Sequence, residues 1–159
     1  MTDATPPDTT PSGAAASDPS GAAASDAAPL EVSGEALRAY FVRYAGAFEA
    51  FDAAAIAAHY AMPCLFVRGG QTEACLTAEA LRESVESLLA LHKTWDVRRA
   101  RLEGVEVLEA APGHVVARAD WRLGRRGRIR WAYATTYVLT PHDEGAWRIA
   151  SALTHDAPF

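Results

Sequence analysis

The chain has 159 residues, half of them hydrophobic, and a formal net charge of −5, which suits one globular domain with material to spare. No apolar run approaches the roughly 18 residues that cross a bilayer, and the opening MTDATPPDTT has neither the basic start nor the apolar stretch of a secretory signal. We therefore expect a cytoplasmic protein with reduced thiols and no membrane partner.

Residues 1–30 are built from Pro, Ser, Gly, Ala, Thr and Asp and carry PSGAAASD twice in tandem, at 11–18 and 19–26. Such a segment cannot offset its ordering entropy and is expected to be a disordered tail. Four of the 20 acids, Asp3, Asp8, Asp18 and Asp26, lie in it with no base, which leaves 16 acids against 15 bases in the remainder. That near-neutral remainder argues for neither a nucleic-acid partner nor an acidic one, and we expect no nucleic acid. We assign 31–159 to one domain.

Ser33 is a good N-cap, and Leu37, Tyr40, Phe41, Tyr44, Phe48 and Phe51 follow at helical spacing. Asp52 caps a shorter helix that buries Ile56 and Tyr60 and stops before Pro63. In CLFVRGGQTEACL, Gly69-Gly70 reads as a two-residue hairpin turn. That register sets Arg68 opposite Gln71, Val67 opposite Thr72 and Cys64 opposite Cys75. A disulfide between the two is conceivable, but a reduced, buried pair suits the compartment. Thr77 caps a third helix with Leu81, Val85, Leu88, Leu89 and His92 on its apolar face.

From Trp95 the hydrophobic period becomes two, over 95–109, 114–124, 128–140 and 146–155. Short connections make neighbouring strands antiparallel. Gly104 marks a β-bulge, because Val105 and Val107 change parity relative to Leu102. In the third run Ile129, Trp131, Tyr133, Tyr137 and Leu139 share one face, and Ala132, Ala134 and Val138 the other. A strand apolar on both sides needs two covering layers, so we expect helices on one face and a homodimer through the outer face.

The fold class is thus α+β: a curved antiparallel sheet with three helices packed on its concave face. This order of elements, with AFEAFDAAAIAAHYAMPCLFV and the closing EGAWRIASALTHD, resembles the nuclear transport factor 2-like (cystatin-like) superfamily, in particular its SnoaL-like branch. The resemblance covers about 33–156. Phe51 departs from it, because a small residue is expected before the capping Asp. The resemblance implies a cone-shaped sheet with a pocket between helices and sheet. It also admits isomerases, dehydratases, polyketide cyclases and proteins without chemistry, so fold alone assigns none of these.

Trp147, Ile149, Ser151, Leu153 and His155 share one strand parity, which should bring Ser151 and His155 to the concave side. His is the natural general base near neutral pH. In cofactor-free isomerases of this fold a buried Tyr binds a developing oxyanion, which makes Tyr133 the companion candidate. The catalytic candidates are therefore His155 and Tyr133. The ligand-binding candidates are Tyr40, Tyr44, Tyr60, Trp95, Trp131, Trp147 and Ser151. Asp120, between Arg118 and Arg122, belongs on the outer face. His59 and His92 read as helix C-terminal caps, and no spacing fixes a metal site. GRRGR at 124–128 reads as a solvated basic turn, or else as part of an arginine strip that attracts an anion. The leading expectation is a pocket for a small, mostly apolar molecule without a cofactor. The alternatives are a cofactor-independent acid/base enzyme and a dimeric interaction module.

Overall fold

The computed structural model describes residues 32–125 and 127–156; the tail expected at 1–30 and Arg126 of the basic turn lie outside them. Helix α1 spans Gly34–Glu49 and begins as its cap requires, the Ala36 N–H donating to Ser33 Oγ at 3.1 Å. It buries Leu37, Tyr40, Phe41, Tyr44 and Ala45. It ends in a Schellman arrangement, with Asp52 N–H donating to Ala47 O and Phe51 N–H to Phe48 O, both at 3.1 Å. Phe51 occupies the left-handed position there, with φ +54°.

Asp52 Oδ1 accepts from Ala55 N–H and starts α2, Ala53–Ala57, which buries Ile56. Tyr60 is not part of that helix: it is the first residue of β1, Tyr60–Arg68. Gly69 and Gly70 both have positive φ, as a type I′ turn requires, and lead to β2, Gln71–Cys75. The register matches the expected one, with Arg68 opposite Gln71 and Cys64 opposite Cys75. Both thiols are buried and free.

Thr77 caps α3, Ala78–Thr94, and a second Schellman arrangement closes it, with Asp96 at φ +53° and Val97 N–H donating to His92 O. Trp95 therefore ends a helix and does not open a strand. The long strands are β3 Arg99–Ala111, β4 His114–Arg125, β5 Arg128–Pro141 and β6 Trp147–His155.

One sheet holds all six strands in the order β2-β1-β6-β5-β4-β3. It is mixed, not wholly antiparallel: β6 follows β5 after a short connection, lies between β5 and β1, and runs parallel to β1. Register shifts between Leu102 and Gly104 and between Val107 and Glu109 put bulges in β3, and these bend the sheet around the helices. At Gly124 a Cβ would stand 2.2 Å from Arg128 O, so only glycine allows β4 and β5 to approach there.

The core lies between α1, α3 and the concave face. Phe41 is fully buried, with its ring 4.7 Å from that of Tyr137 and 6.1 Å from that of Trp121. Ala117 and Ala119, also fully buried, keep that stretch of β4 flat enough for the aromatic rings above it. No helix among the described residues is long and apolar enough to cross a membrane.

Candidate functional site

The alternation of β4, β5 and β6 turns Trp121, Tyr133, Thr135, Tyr137, Ala152 and Thr154 toward the helices. Tyr44 and Phe48 project from α1 one helical turn apart, and Val85, Leu88 and His92 from α3. Tyr60 and Phe66 complete the wall from β1, and Arg68 stands at its end, paired with Glu73 at 3.1 Å. Together they enclose a cavity of about 70 Å³. No Asp or Glu lines it among the described residues.

The hydroxyls of Tyr44 and Tyr60 are hydrogen-bonded at 2.5 Å in the buried wall. Burial raises the pKa of both, and of Tyr133 and Tyr137, so all four phenols keep their protons near neutral pH. Burial also lowers His92 to about 4 and leaves it neutral. Apart from Arg68 at its end, which is already paired with Glu73, the lining offers uncharged donors and acceptors in a low-dielectric shell.

Of the residues singled out from sequence, the structure brings Tyr44, Tyr60 and Tyr133 together around the cavity. Tyr40 is buried beside it, but its hydroxyl donates to His59 O at 2.9 Å. Trp95 and Trp131 pack on each other, ring centroids 4.7 Å apart, and neither is among the residues that line the cavity. Trp147 pairs with Pro141 at the start of β6, away from Ala152 and Thr154, which line the cavity.

Ser151 and His155 do not reach the concave side. Leu139 pairs with Ile149 but Val138 pairs with Ser151, so Ala150 is an extra residue in β6. That bulge reverses the parity after Ile149. Ala152 and Thr154 turn inward, and the exposed His155 lies outside with Nε2 2.9 Å from Thr136 Oγ1. Asp120 is on the outer face, 3.3 Å from Arg118, as its parity indicates. His59, His92 and His155 are not brought together, and no group of three or more His, Cys, Asp or Glu among the described residues is placed to hold a metal ion.

The lining residues outside the assigned set include Phe48, His92, Trp121, Tyr137, Thr135 and Thr154. Phe48 lies one turn from Tyr44 in the aromatic stripe. His92 lies one turn from Leu88 on an apolar face, where burial rather than capping was the informative reading. Trp121 and Tyr137 had the inward parity of their strands.

Helices seated in the hollow of a curved sheet define a cone-shaped α+β scaffold. Residues 34–157 match the family described as NTF2-like protein (DUF6841), and the chain belongs to that family. This bears out the superfamily named from the opening and closing motifs. No curated protein matches the chain. Among solved structures, a protein of unknown function from Mycobacterium tuberculosis superposes with a TM-score of 0.61 at 20% identity, covering 77% of this chain and 70% of its own. A protein of unknown function with a cystatin-like fold from Nostoc punctiforme gives 0.62 at 10% identity, covering 77% and 89%. A ketosteroid isomerase-like protein from Erwinia carotovora atroseptica gives 0.56 at 19% identity, covering 76% and 93%. At such identities these likenesses concern the fold.

Proposed function

We propose that the inner cavity receives a small, neutral, mostly apolar molecule bearing a hydrogen-bond acceptor such as a carbonyl oxygen. The observation that carries this reading is the Tyr44–Tyr60 hydroxyl pair. One hydroxyl must donate to the other, which leaves the second proton for a further acceptor. A charged ligand is disfavoured, because the wall holds no carboxylate among the described residues and its Arg68 is already paired with Glu73, which leaves little to replace the ligand's water. Size restricts the ligand further. About 70 Å³ accommodates a few waters or a fragment of several heavy atoms, whereas drug-sized ligands occupy roughly 300–1,000 Å³. A larger guest requires the half-buried Phe48, Phe66 or Leu88 to rotate.

The test is thermal unfolding of the full chain with small cyclic ketones and with hydrocarbons of the same shape. A dose-dependent rise with the ketones that Tyr60→Phe removes supports the reading. Equal shifts with ketone and hydrocarbon, or none with either, overturn it.

A second reading is favoured by neutral His92 in the same cavity: proton abstraction beside the carbonyl, with His92 as base and the phenol pair binding the oxyanion. Solvent deuterium should then enter the α-position of a bound ketone and fail to do so in His92→Gln. No exchange in the wild type removes this reading.

We also propose a homodimer through the outer sheet face. Leu65, Ser151, Val138 and Val116 form one cross-strand row there, half-buried and without a covering layer among the described residues. Sedimentation at micromolar concentration checks it, and a monomer that stays monomeric as concentration rises counts against it.

A further inference from the structure

A second concavity lies on the other side of α1, between that helix, the first residues of β3 and the adjoining ends of β4 and β5. Its volume is about 820 Å³, more than ten times that of the inner cavity. Its floor is small and apolar: Ala45, Gly46, Ala100, Leu102, Leu123 and Gly124. Two of the large hydrophobic side chains that the fold leaves in water flank it, Val42 at 53% exposure and Ile129 at 56%.

The rim is cationic. Arg99, Arg101, Arg122, Arg125 and Arg128 all border the groove. The nearby carboxylates do not balance them. Glu103 is shared by Arg101 and Arg122, at 2.9 and 3.2 Å, and Asp96 is shared by Arg98 and Arg125, at 3.1 and 2.8 Å. Glu49 is matched by Arg99 and also accepts the Ala100 N–H, both at 3.0 Å. Three carboxylates thus face the five arginines of the rim, and Asp96 is drawn by Arg98 as well, so the rim keeps an excess of positive charge.

Gly46 gives an independent indication. A glycine inside a helix costs roughly 1 kcal/mol relative to alanine, and α1 runs through it without a break. No neighbouring residue comes within 4 Å of the position its Cβ would take, so packing within this chain does not require the gap. The missing side chain deepens the groove floor between Val42 and Ile129.

We infer that this groove is a binding site for an anionic amphiphile, whose headgroup is held by the arginine rim while its apolar chain lies along the floor against Val42 and Ile129. Guanidinium forks match carboxylate and phosphate headgroups alike. The site is independent of the phenol cavity, from which Ala45, Ala100 and Leu123 partition it.

The experiment is calorimetric titration of the full chain with decanoate, decyl phosphate, decanol and inorganic phosphate. We expect one or both anionic amphiphiles to bind at least about tenfold tighter than decanol and than inorganic phosphate, the value of one charge-assisted contact; the tighter of the two identifies the headgroup. Arg125→Gln with Arg128→Gln, and separately Val42→Asp, should each weaken that binding about tenfold or more. All three side chains are exposed, so these variants should fold. Tyr60→Phe should leave the affinity unchanged. Decanol binding as well as decanoate and decyl phosphate, inorganic phosphate binding as well as either, or loss of binding in Tyr60→Phe but not in the groove variants would each overturn the inference.

Discussion

The hydroxyl of Tyr44, in the middle of α1, and that of Tyr60, at the first residue of β1, lie 2.5 Å apart although 16 positions separate them. The short α2 turns the chain back and makes the contact possible. Removing one hydroxyl leaves the other buried without this partner, a loss of about 1–3 kcal/mol, whereas removing both leaves no such orphan. Tyr44→Phe and Tyr60→Phe should each destabilise the protein by about that amount, and the double variant by clearly less than their sum. Urea denaturation of the four proteins measures the coupling, and strict additivity would mean the bond contributes nothing.

His92 should give the protein an acid limb. Burial lowers its pKa from 6.5 to about 4 in the folded state. Between those values the unfolded chain takes up a proton that the folded chain refuses, so folding becomes less favourable as pH falls. The stability is fully present above about pH 6.5 and is lost progressively toward pH 4, on the order of 3 kcal/mol in all. His59, lowered mainly by its own burial, acts in the same direction. His92→Phe should flatten the dependence of urea midpoint on pH over this window.

The two thiols should be inert in the native state. Cys64 and Cys75 face each other across the hairpin and are both buried. Burial, and then the neighbouring thiol, push Cys64 up to about 12, and burial raises Cys75 as well. Little thiolate is present near pH 8. An aromatic disulfide reagent should label neither cysteine in the folded chain, and both in guanidinium.

Phe51 holds a left-handed backbone position that costs a non-glycine residue roughly 1–2 kcal/mol. Its ring offsets part of this by packing against the core and by lying 5.3 Å from Lys93 Nζ and 5.6 Å from the Arg98 guanidinium. Phe51→Ala keeps the strain and loses the ring, whereas Phe51→Gly loses both. Alanine should therefore destabilise more than glycine by roughly 1 kcal/mol. The order of the two melting temperatures tests this.

Much of the fold follows from local chemistry. Ser33, Asp52 and Thr77 cap three helices because their side-chain oxygens accept N–H groups three residues on. Two adjacent glycines with positive φ close the hairpin and set its register, Cys64 opposite Cys75 included. The aromatic stripe of α1 and the inward parity of β5 foretold Tyr44 and Tyr133 in one wall. The departure noted at Phe51 marks a real left-handed position.

The end of β6 shows where such reasoning stops. Alternation places Ser151 and His155 beside Ile149, but it holds only while each residue has one partner. The extra residue at Ala150 is ordinary in its own neighbourhood and carries no glycine or proline to announce it. It arises because β6 must pair at once with β5 and, in parallel, with β1. The same non-local packing selects His92 for the cavity and leaves Trp95 and Trp131 outside its lining. Caps and turns depend on atoms a few residues apart and are written in the chain, whereas the residues that meet around the cavity depend on pairings between distant strands.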